Sequence, residues 1–392
     1  MILSDEKSAL QLGKDTSDKA SRPRICMPTS RDITRRAFQC GLYEAQDVLL
    51  ETDEVDLIRL EPGPGFHFKE RLQRRLLYRD ISRRLIFRNP GLHKARLTQE
   101  YDLFLVICQN YWDLLYINAI EGWKDRCRTS VCLIDEIWVS DLPKYKYWLH
   151  ALNQFDHIFV GARGTSAPLS KILNRTCHWL PGAVDTLRFS TYPSQPDRVI
   201  DVYSIGRRWD GIHEVLLQEA GRGEIFYVYD TFPVADMEVY DHRQHRDLFA
   251  NLAKRSRHFI VAPGKMNASE ETQGQVEIGY RYYEGAAAGT VMIGQWPNCD
   301  AFREMFNWPD VVIQIQPDGS DVKKVLASLR SEPERVSAIS SRNAAEALLR
   351  HDWVYRWKEV FRIAGIEISP RMAARERRLK QLSTLRTNAS EN

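Results

Sequence analysis

The stretch Arg281-Tyr-Tyr-Glu-Gly-Ala-Ala-Ala-Gly-Thr-Val-Met-Ile-Gly294 decides how this chain is read. A carboxylate is followed by tiny residues, a glycine, and then an apolar run. The pattern predicts a helix with Glu284 among its first residues, a glycine exit, and a short buried strand over 290–293. Alanine and glycine leave backbone with almost no side chain, so a bulky group can lie directly against it. Amides exposed at a helix start favour anions. A glutamate beside them can accept two hydroxyls of a sugar, as acids do on ribose in dinucleotide folds. The plain alternative is a small-residue helix packed tightly on a sheet.

Outward from this stretch, strand-like and helical patterns alternate along the chain. Apolar runs at 24–28, 55–60, 101–108, 128–134, 157–160 and 178–180 form a first series, with a helix expected over 31–44. A second series runs through strands at 198–205, 224–229, 258–262, 290–293 and 311–315, with helices at 211–220, 243–254, 318–331 and 334–349. Between them lies Ser190-Thr-Tyr-Pro-Ser-Gln-Pro-Asp197, whose two prolines mark a linker. Such alternation predicts parallel sheets covered by helices on both faces. The expected organisation is a disordered polar N-terminus (1–21), a first Rossmann-like domain (22–190) and a second (198–350). A helix (351–366) and a basic tail (367–392) that frays at its end follow. Trp353, Trp357, Val360 and Phe361 fall at i, i+4, i+7 and i+8, one apolar stripe on that last helix.

Composition excludes several classes. A chain of 392 residues exceeds what one core usually organises, and 43% hydrophobic with 27% charged residues is ordinary for a globular protein. No run approaches the roughly 20 apolar residues of a membrane span, and the N-terminus lacks the apolar core of a signal peptide. Seven cysteines are scattered without a Cys-x-x-Cys pair, a pattern that suggests reduced thiols in a cytoplasm. No Gly-x-Gly-x-x-Gly follows an early strand, and Pro62-Gly-Pro-Gly65 is a rigid turn whose prolines remove amide donors. Asp241, His242 and His245 lie close together but make a poor metal set. A net charge of +3 is too small to argue for nucleic acid.

Four landmarks in order carry a resemblance. Arg281-Tyr-Tyr-Glu284 and the small residues after it resemble the Glu-x-x-Ala-x-Gly signature of GT-B type glycosyltransferases of the group-1 kind. Phe155-Asp-His-Ile-Phe-Val160 is similar to the last strand phrase of that family's first domain. Leu180-Pro-Gly-Ala-Val-Asp-Thr-Leu-Arg-Phe189 resembles its Pro-Asn-Gly-Val-Asp-x-x-x-Phe phrase, with Gly182-Ala183 in place of Asn-Gly. Asp201-Val-Tyr-Ser-Ile-Gly-Arg-Arg208 resembles the strand that opens the second domain. The resemblance covers roughly 155–364. It implies two Rossmann-like domains facing a cleft, a C-terminal helix crossing back to the first domain, and metal-independent sugar transfer with retention.

The resemblance also implies roles. Arg207, Arg208 and Lys265 would meet the donor diphosphate, Arg281 would join them or orient Glu284, and Tyr282, Glu284, Ala288, Gly289 and Thr290 would complete the donor site. Solvated strand-end cations are the plain alternative for Arg207 and Arg208. Retaining members carry a first glutamate eight residues before the ribose-binding one. Here that position is Val276, with Glu277 one residue away, while Arg281-Tyr-Tyr-Glu284 fits the shortened Arg-x-x-Glu version of some branches. From the residues alone, a departing diphosphate without a metal needs Arg, Lys and a helix start. No Asp-x-Asp of the metal-dependent single-domain transferases occurs.

The first domain is expected to hold the acceptor. Asp135 and Glu136, in Leu133-Ile-Asp-Glu-Ile-Trp138, end a strand facing the cleft, and one of them can take the acceptor's proton or orient the sugar. Surface acids are the alternative. Asn110-Tyr-Trp-Asp113 offers rings for a sugar or base, or core filling. From Lys69 to Arg96, ten basic residues face only Glu70 and Asp80, with Leu72, Leu76, Leu77, Ile81, Leu85 and Ile86 interleaved at helical spacing. A basic amphipathic helix suits an anionic membrane through Arg74, Arg75, Arg83 and Arg84. A solvated helix packed on its own domain reads the same pattern.

These readings lead to one expectation. It is a cytoplasmic hexosyltransferase of glycoconjugate or polysaccharide synthesis, peripheral to the inner face of the membrane. Its co-substrate is UDP- or GDP-linked, with no other cofactor, no metal and no nucleic-acid partner. The acceptor is a glycan, lipid-linked or other hydroxyl. Asp135 and Glu277 are its catalytic candidates. The alternatives are a catalytically silent sugar- or nucleotide-binding relative, and a basic membrane or nucleic-acid binding protein.

Overall fold

A computed structural model describes residues 23–79, 81–191, 196–231 and 237–391. The expected disordered segment 1–21 and the middle of the expected linker lie outside them. The first half is built on strands β1 (Ile25–Thr29), β2 (Val55–Arg59), β3 (Tyr101–Cys108), β4 (Cys127–Ile134), β5 (His157–Val160) and β6 (Cys177–Trp179). They form one sheet in the order β2-β1-β3-β4-β5-β6, every pair parallel. The second half has β7 (Ile200–Ser204), β8 (Tyr227–Tyr229), β9 (Ser256–Val261), β10 (Val291–Gly294) and β11 (Ile313–Gln314), in the order β8-β7-β9-β10-β11, again all parallel.

Helices cover both faces of each sheet, as buried parallel strands require. Those that matter here are α1 (Cys40–Thr52), α2 (Phe66–Tyr78), α3 (Arg163–Leu173), α4 (Asp210–Gly221), α5 (His242–Lys254), α6 (Tyr280–Ala287), α7 (Val322–Ser331), α8 (Pro333–Arg350), α9 (Trp353–Ala364) and α10 (Pro370–Glu391). The apolar stripe of α9 is buried to the last atom: Trp357, Val360 and Phe361 join a core with Ile25 and Met27 of β1 and Leu42, Ala45 and Val48 of α1. The Trp357 indole donates to the Ala45 carbonyl at 3.0 Å. The C-terminal helix therefore crosses back onto the first half, completing the GT-B architecture.

Three local expectations are corrected. The helix expected over 31–44 begins only at Cys40. Upstream of it, Arg31 turns back to pair with Asp47 at 2.8 Å, and the Tyr43 hydroxyl donates to the Thr34 carbonyl at 2.7 Å, holding a loop across the helix start. The single basic helix expected over 69–96 ends at Tyr78. Gln73 donates to the carbonyls of Leu85 (2.6 Å) and Arg88 (2.8 Å), folding the chain back, and Arg83 and Arg84 sit on a short 3-10 turn, Arg83–Phe87. The basic tail is a helix, α10, with Met372 and Leu379 fully buried. Arg375 reaches Asp352 at 2.8 Å and Asp185 at 2.6 Å, which ties this helix to the start of α9 and to the end of the first half.

Candidate active site

Open parallel sheets place ligands outside the carboxyl ends of their strands, at the point where strand order reverses. In the second sheet that point lies between β7 and β9. Arg207 leaves the end of β7, and Lys265 follows β9 after Pro263-Gly264. The exposed Arg207 donates to the Asn267 side chain at 3.1 Å, so the two loops meet. Lys265 holds a positive φ of 50°, uncommon for a residue with a side chain. Gly279 lets α6 start against the end of β9, because a Cβ there would lie 2.8 Å from the Ala262 carbonyl. Arg281, in the first turn of α6, donates to the Ile205 carbonyl at 3.2 Å, back at the end of β7. Three cations thus converge on one crevice.

The first half faces this crevice with Asp135, at the end of β4. The Tyr280 hydroxyl donates to it at 2.5 Å and Gln109 at 3.2 Å. Burial pushes its carboxyl up to about 7, against the pull of the Tyr280 hydrogen bond. Its neighbour Glu136 pairs with Lys265 at 2.9 Å, and Glu271 pairs with the same lysine at 3.1 Å. Burial works against the Lys265 ammonium, but these two carboxylates outweigh it and hold its pKa above the ordinary lysine value.

Glu284 is buried, with both oxygens engaged. Arg246 of α5 donates to one at 2.5 Å and Arg281 to the other. Arg246 also donates to Glu44 of α1 at 2.7 Å, and Arg188 reaches Glu44 at 3.2 Å. Burial raises the Glu284 carboxyl, yet the two guanidiniums prevail and leave it below the usual carboxylate range. This chain of charges runs from the first half into the second. Arg246 and Glu44 escaped the sequence reading. For Arg246 the signal was present: it sits with Phe249, Ala250 and Ala253 at i, i+3, i+4 and i+7, a charge on the buried face of its helix.

Other expected site residues are placed differently. Glu277 accepts from the backbone amides of Gly164 (2.9 Å) and Arg163 (3.1 Å), and from Gln275 (2.7 Å), so it caps α3 of the first half. Tyr282 is core, packed between Phe302 and Phe306, with its hydroxyl on the Gln295 carbonyl. Ala288, Gly289 and Thr290 are fully buried where β10 begins, at the end of the sheet away from the crevice. The Ala288 and Gly289 carbonyls accept from Arg198 at 2.9 and 2.7 Å, and Ser340 of α8 covers them. What lies against this bare backbone is the protein itself: a Cβ on Gly285 would meet Phe259 at 2.9 Å and Met292 at 3.0 Å. Arg208 also turns away, donating to the Asp230 carbonyl at 2.5 Å.

Asp241 caps α5 and His242 pairs with Asp47 at 2.8 Å. Among the described residues no cluster of three His, Cys, Asp or Glu side chains is arranged to hold a metal, and no helix is long and apolar enough to cross a membrane.

The first sheet reverses its order between β1 and β3, and a cavity of about 620 Å³ opens there. Its walls include Arg35 and Arg36 of the loop after β1, His67 and Arg74 of α2, and Trp112 and Asp113 beyond β3. Glu238 of the second half closes it. Burial pushes the Asp113 carboxyl up to about 6. Trp112 is half-buried, with Arg74 over its ring at 5.5 Å.

Residues 197–362 match the family described as glycosyl transferase-like. An α-glucosyltransferase solved with UDP and a 13-mer DNA containing a HMU base superimposes at a TM-score of 0.53 and 10% identity, over 87% of this chain and 99% of that one. An α-glucosyltransferase with UDP-glucose and DNA containing an abasic site gives 0.51 at 11% identity over the same shares. Anabaena Alr3699/HepE with UDP and glucose gives 0.48 at 10% identity, over 88% of this chain and 100% of that one. No curated protein matches the sequence. The fold is GT-B, and residues 197–362, which carry the second sheet, are similar to the glycosyl transferase-like family.

Proposed function

We propose that this enzyme moves a hexose from a UDP-linked donor to a hydroxyl acceptor without a metal. The observation that carries this reading is the convergence of Arg207, Lys265 and Arg281 at the strand-order reversal of the second sheet. Departure of a nucleoside diphosphate builds negative charge, and fixed cations with the first turn of α6 meet it there. UDP in the solved relatives supports uridine over guanosine. Glu284, held by Arg246 and Arg281, orients Arg281 toward the diphosphate and offers its remaining lone pairs to ribose. Asp135, poised near neutrality, takes the acceptor proton. Glu277 serves as a clamp between the halves. We place the enzyme in the cytoplasm, in glycan or lipid-linked saccharide synthesis, with domains at 22–190 and 198–350. A thermal-shift screen with UDP, GDP, ADP and CMP tests the donor, because a ligand of the folded state raises Tm by mass action. UDP should give the largest shift, followed by hydrolysis of a UDP-hexose. No shift with any nucleotide removes the reading, and a UDP shift without hydrolysis of any UDP-hexose favours a silent relative.

A second reading concerns the surface. Phe68, Leu72, Tyr78, Ile81 and Phe87 are all exposed among the arginines of α2 and the turn after it. Apolar side chains exposed within a basic patch suit docking at an anionic bilayer.

A further inference from the structure

On the outer side of α2 lies a second cavity, of about 540 Å³, lined by His67, Glu70, Arg71, Arg74, Arg75, Tyr78 and Arg79. It shares His67, Glu70 and Arg74 with the cavity at the strand-order reversal of the first sheet, so the two adjoin across these side chains. Its charge is lopsided. Arg74 is paired with Glu70, but Arg71, Arg75 and Arg79 are exposed and make no ion pair among the described residues. On a helical wheel Phe68 and Leu72 stand beside Arg75 and Arg79, and they are 72% and 44% exposed. Around α2 therefore lie, side by side, an apolar surface, three guanidiniums without an ion pair among the described residues, and a polar cavity lined by Trp112 and Asp113.

We propose that the α2 groove binds the phosphate of an amphiphilic acceptor, whose hydrocarbon tail lies on Phe68 and Leu72 and whose hydroxylated head enters the first-sheet cavity. That the head is an acceptor rests on the glycosyltransferase reading; the groove itself does not. Arginine suits this task because its planar fork meets phosphate oxygens in pairs. The tail adds affinity that free phosphate lacks, since removing its methylenes from water is favourable.

The test titrates the full chain with dodecyl phosphate, dodecyl glucoside, inorganic phosphate and a short duplex DNA, read by intrinsic tryptophan fluorescence. Dodecyl phosphate should bind at least about tenfold more tightly than either the glucoside or inorganic phosphate, as charge-assisted pairing and burial together imply. Arg71→Gln, Arg75→Gln and Arg79→Gln combined should reduce it to the level of the glucoside, and lysine at the same three positions should restore part of the difference. Phe68→Ser with Leu72→Ser should weaken dodecyl phosphate and leave inorganic phosphate unchanged. Thermal unfolding of each variant checks the fold. Equal affinity for dodecyl phosphate and dodecyl glucoside overturns the proposal. Inorganic phosphate binding as tightly as the amphiphile makes this a free-phosphate site and overturns the tail. Duplex DNA displacing dodecyl phosphate through the same arginines assigns the groove to nucleic acid instead. Hydrolysis of a UDP-hexose by the wild-type chain is measured alongside. If it persists while dodecyl phosphate fails to bind, only this inference falls; if it is absent while dodecyl phosphate binds, the groove stands and the donor reading falls.

Discussion

Glu284 is structural by its contacts, and the proposed donor site gives it a second role. Its oxygens are shared by Arg246 and Arg281, so Glu284→Gln leaves Arg246 with Glu44 alone and frees Arg281 to swing. Breaking a buried pair by removing one partner costs about 3–5 kcal/mol. We expect a lowered Tm together with a fall in kcat/KM for the UDP-hexose of at least about tenfold, the loss of about 1.5–3 kcal/mol in a charged hydrogen bond. Lowered Tm with unchanged kinetics would reduce Glu284 to a strut. At Asp135 the direction of a pH effect can be worked out. The ordinary value is 3.8 and burial lifts it to about 7, so between these the folded state keeps a proton that the unfolded chain has released. This site's contribution to stability is therefore full below 3.8 and lost as pH rises through about 7. Activity should run the other way, rising through the same region as the base ionises. Asp135→Asn should abolish the rising limb of the pH–rate profile and flatten that part of the stability curve. A limb that survives in the Asn variant belongs to another group.

Among elements, α9 was legible because its message is local: an apolar stripe at helical spacing that needs a partner. The sequence could not say which partner, since Trp357 meets Ala45 across 312 residues. Replacing Trp353 and Trp357 by Ala should cost about 3–5 kcal/mol each, read by denaturant unfolding. A much smaller loss would mean that α9 contributes little to the first-half core. The strands were legible for the same local reason, and β3 and β5 stand where the apolar runs placed them. Helix α2 was half legible. The leucine spacing ran on past Tyr78, but Gln73 reaches the backbone of Leu85 and Arg88 and turns the chain back, a contact that no periodicity announces. The small residues after Glu284 misled for a related reason. A bare backbone serves a ligand or a neighbouring helix equally well, and here Ser340 of α8 took the place. Broken into a helix and a turn, the basic segment still presents Arg75, Arg83 and Arg84 outward, with Arg83 stacked on Tyr147 at 4.0 Å. Sedimentation with acidic vesicles should be strong at low salt and fade as salt rises. Gln at Arg74, Arg75, Arg83 and Arg84 should remove most of it, because each basic residue near such a surface contributes about 1 kcal/mol. If the wild-type chain ignores acidic vesicles at low salt, the surface reading falls.

Across the whole molecule, residues that follow β4 in the first half are paired across the gap with residues that follow β9 in the second. Lys265 of the second half holds Glu136 of the first, Tyr280 holds Asp135, and Glu277 caps α3. A diphosphate arriving at Arg207 and Arg281 competes with Glu136 for Lys265. Donor binding should therefore loosen one cross-cleft tie while adding charge pairing of its own. The same accounting bears on metals. A metal-assisted transferase places its carboxylates at the leaving group, where they hold the ion. Here the carboxylates nearest the proposed diphosphate position are already bound: Glu284 to two arginines, Glu136 and Glu271 to Lys265. In the proposed site Arg207, Lys265 and Arg281 would supply the charge that a divalent ion would bring. Transfer from the UDP-hexose should consequently persist in EDTA at full rate, and added Mg²⁺ or Mn²⁺ should not raise it. Activity that EDTA abolishes and either ion restores would mean that an ion opens the Lys265 pairs and recruits Glu136 or Glu271. Replacing Lys265 by Met tells the two apart. A cation-driven enzyme loses turnover that no ion returns, whereas a metal-driven one keeps its response to Mn²⁺.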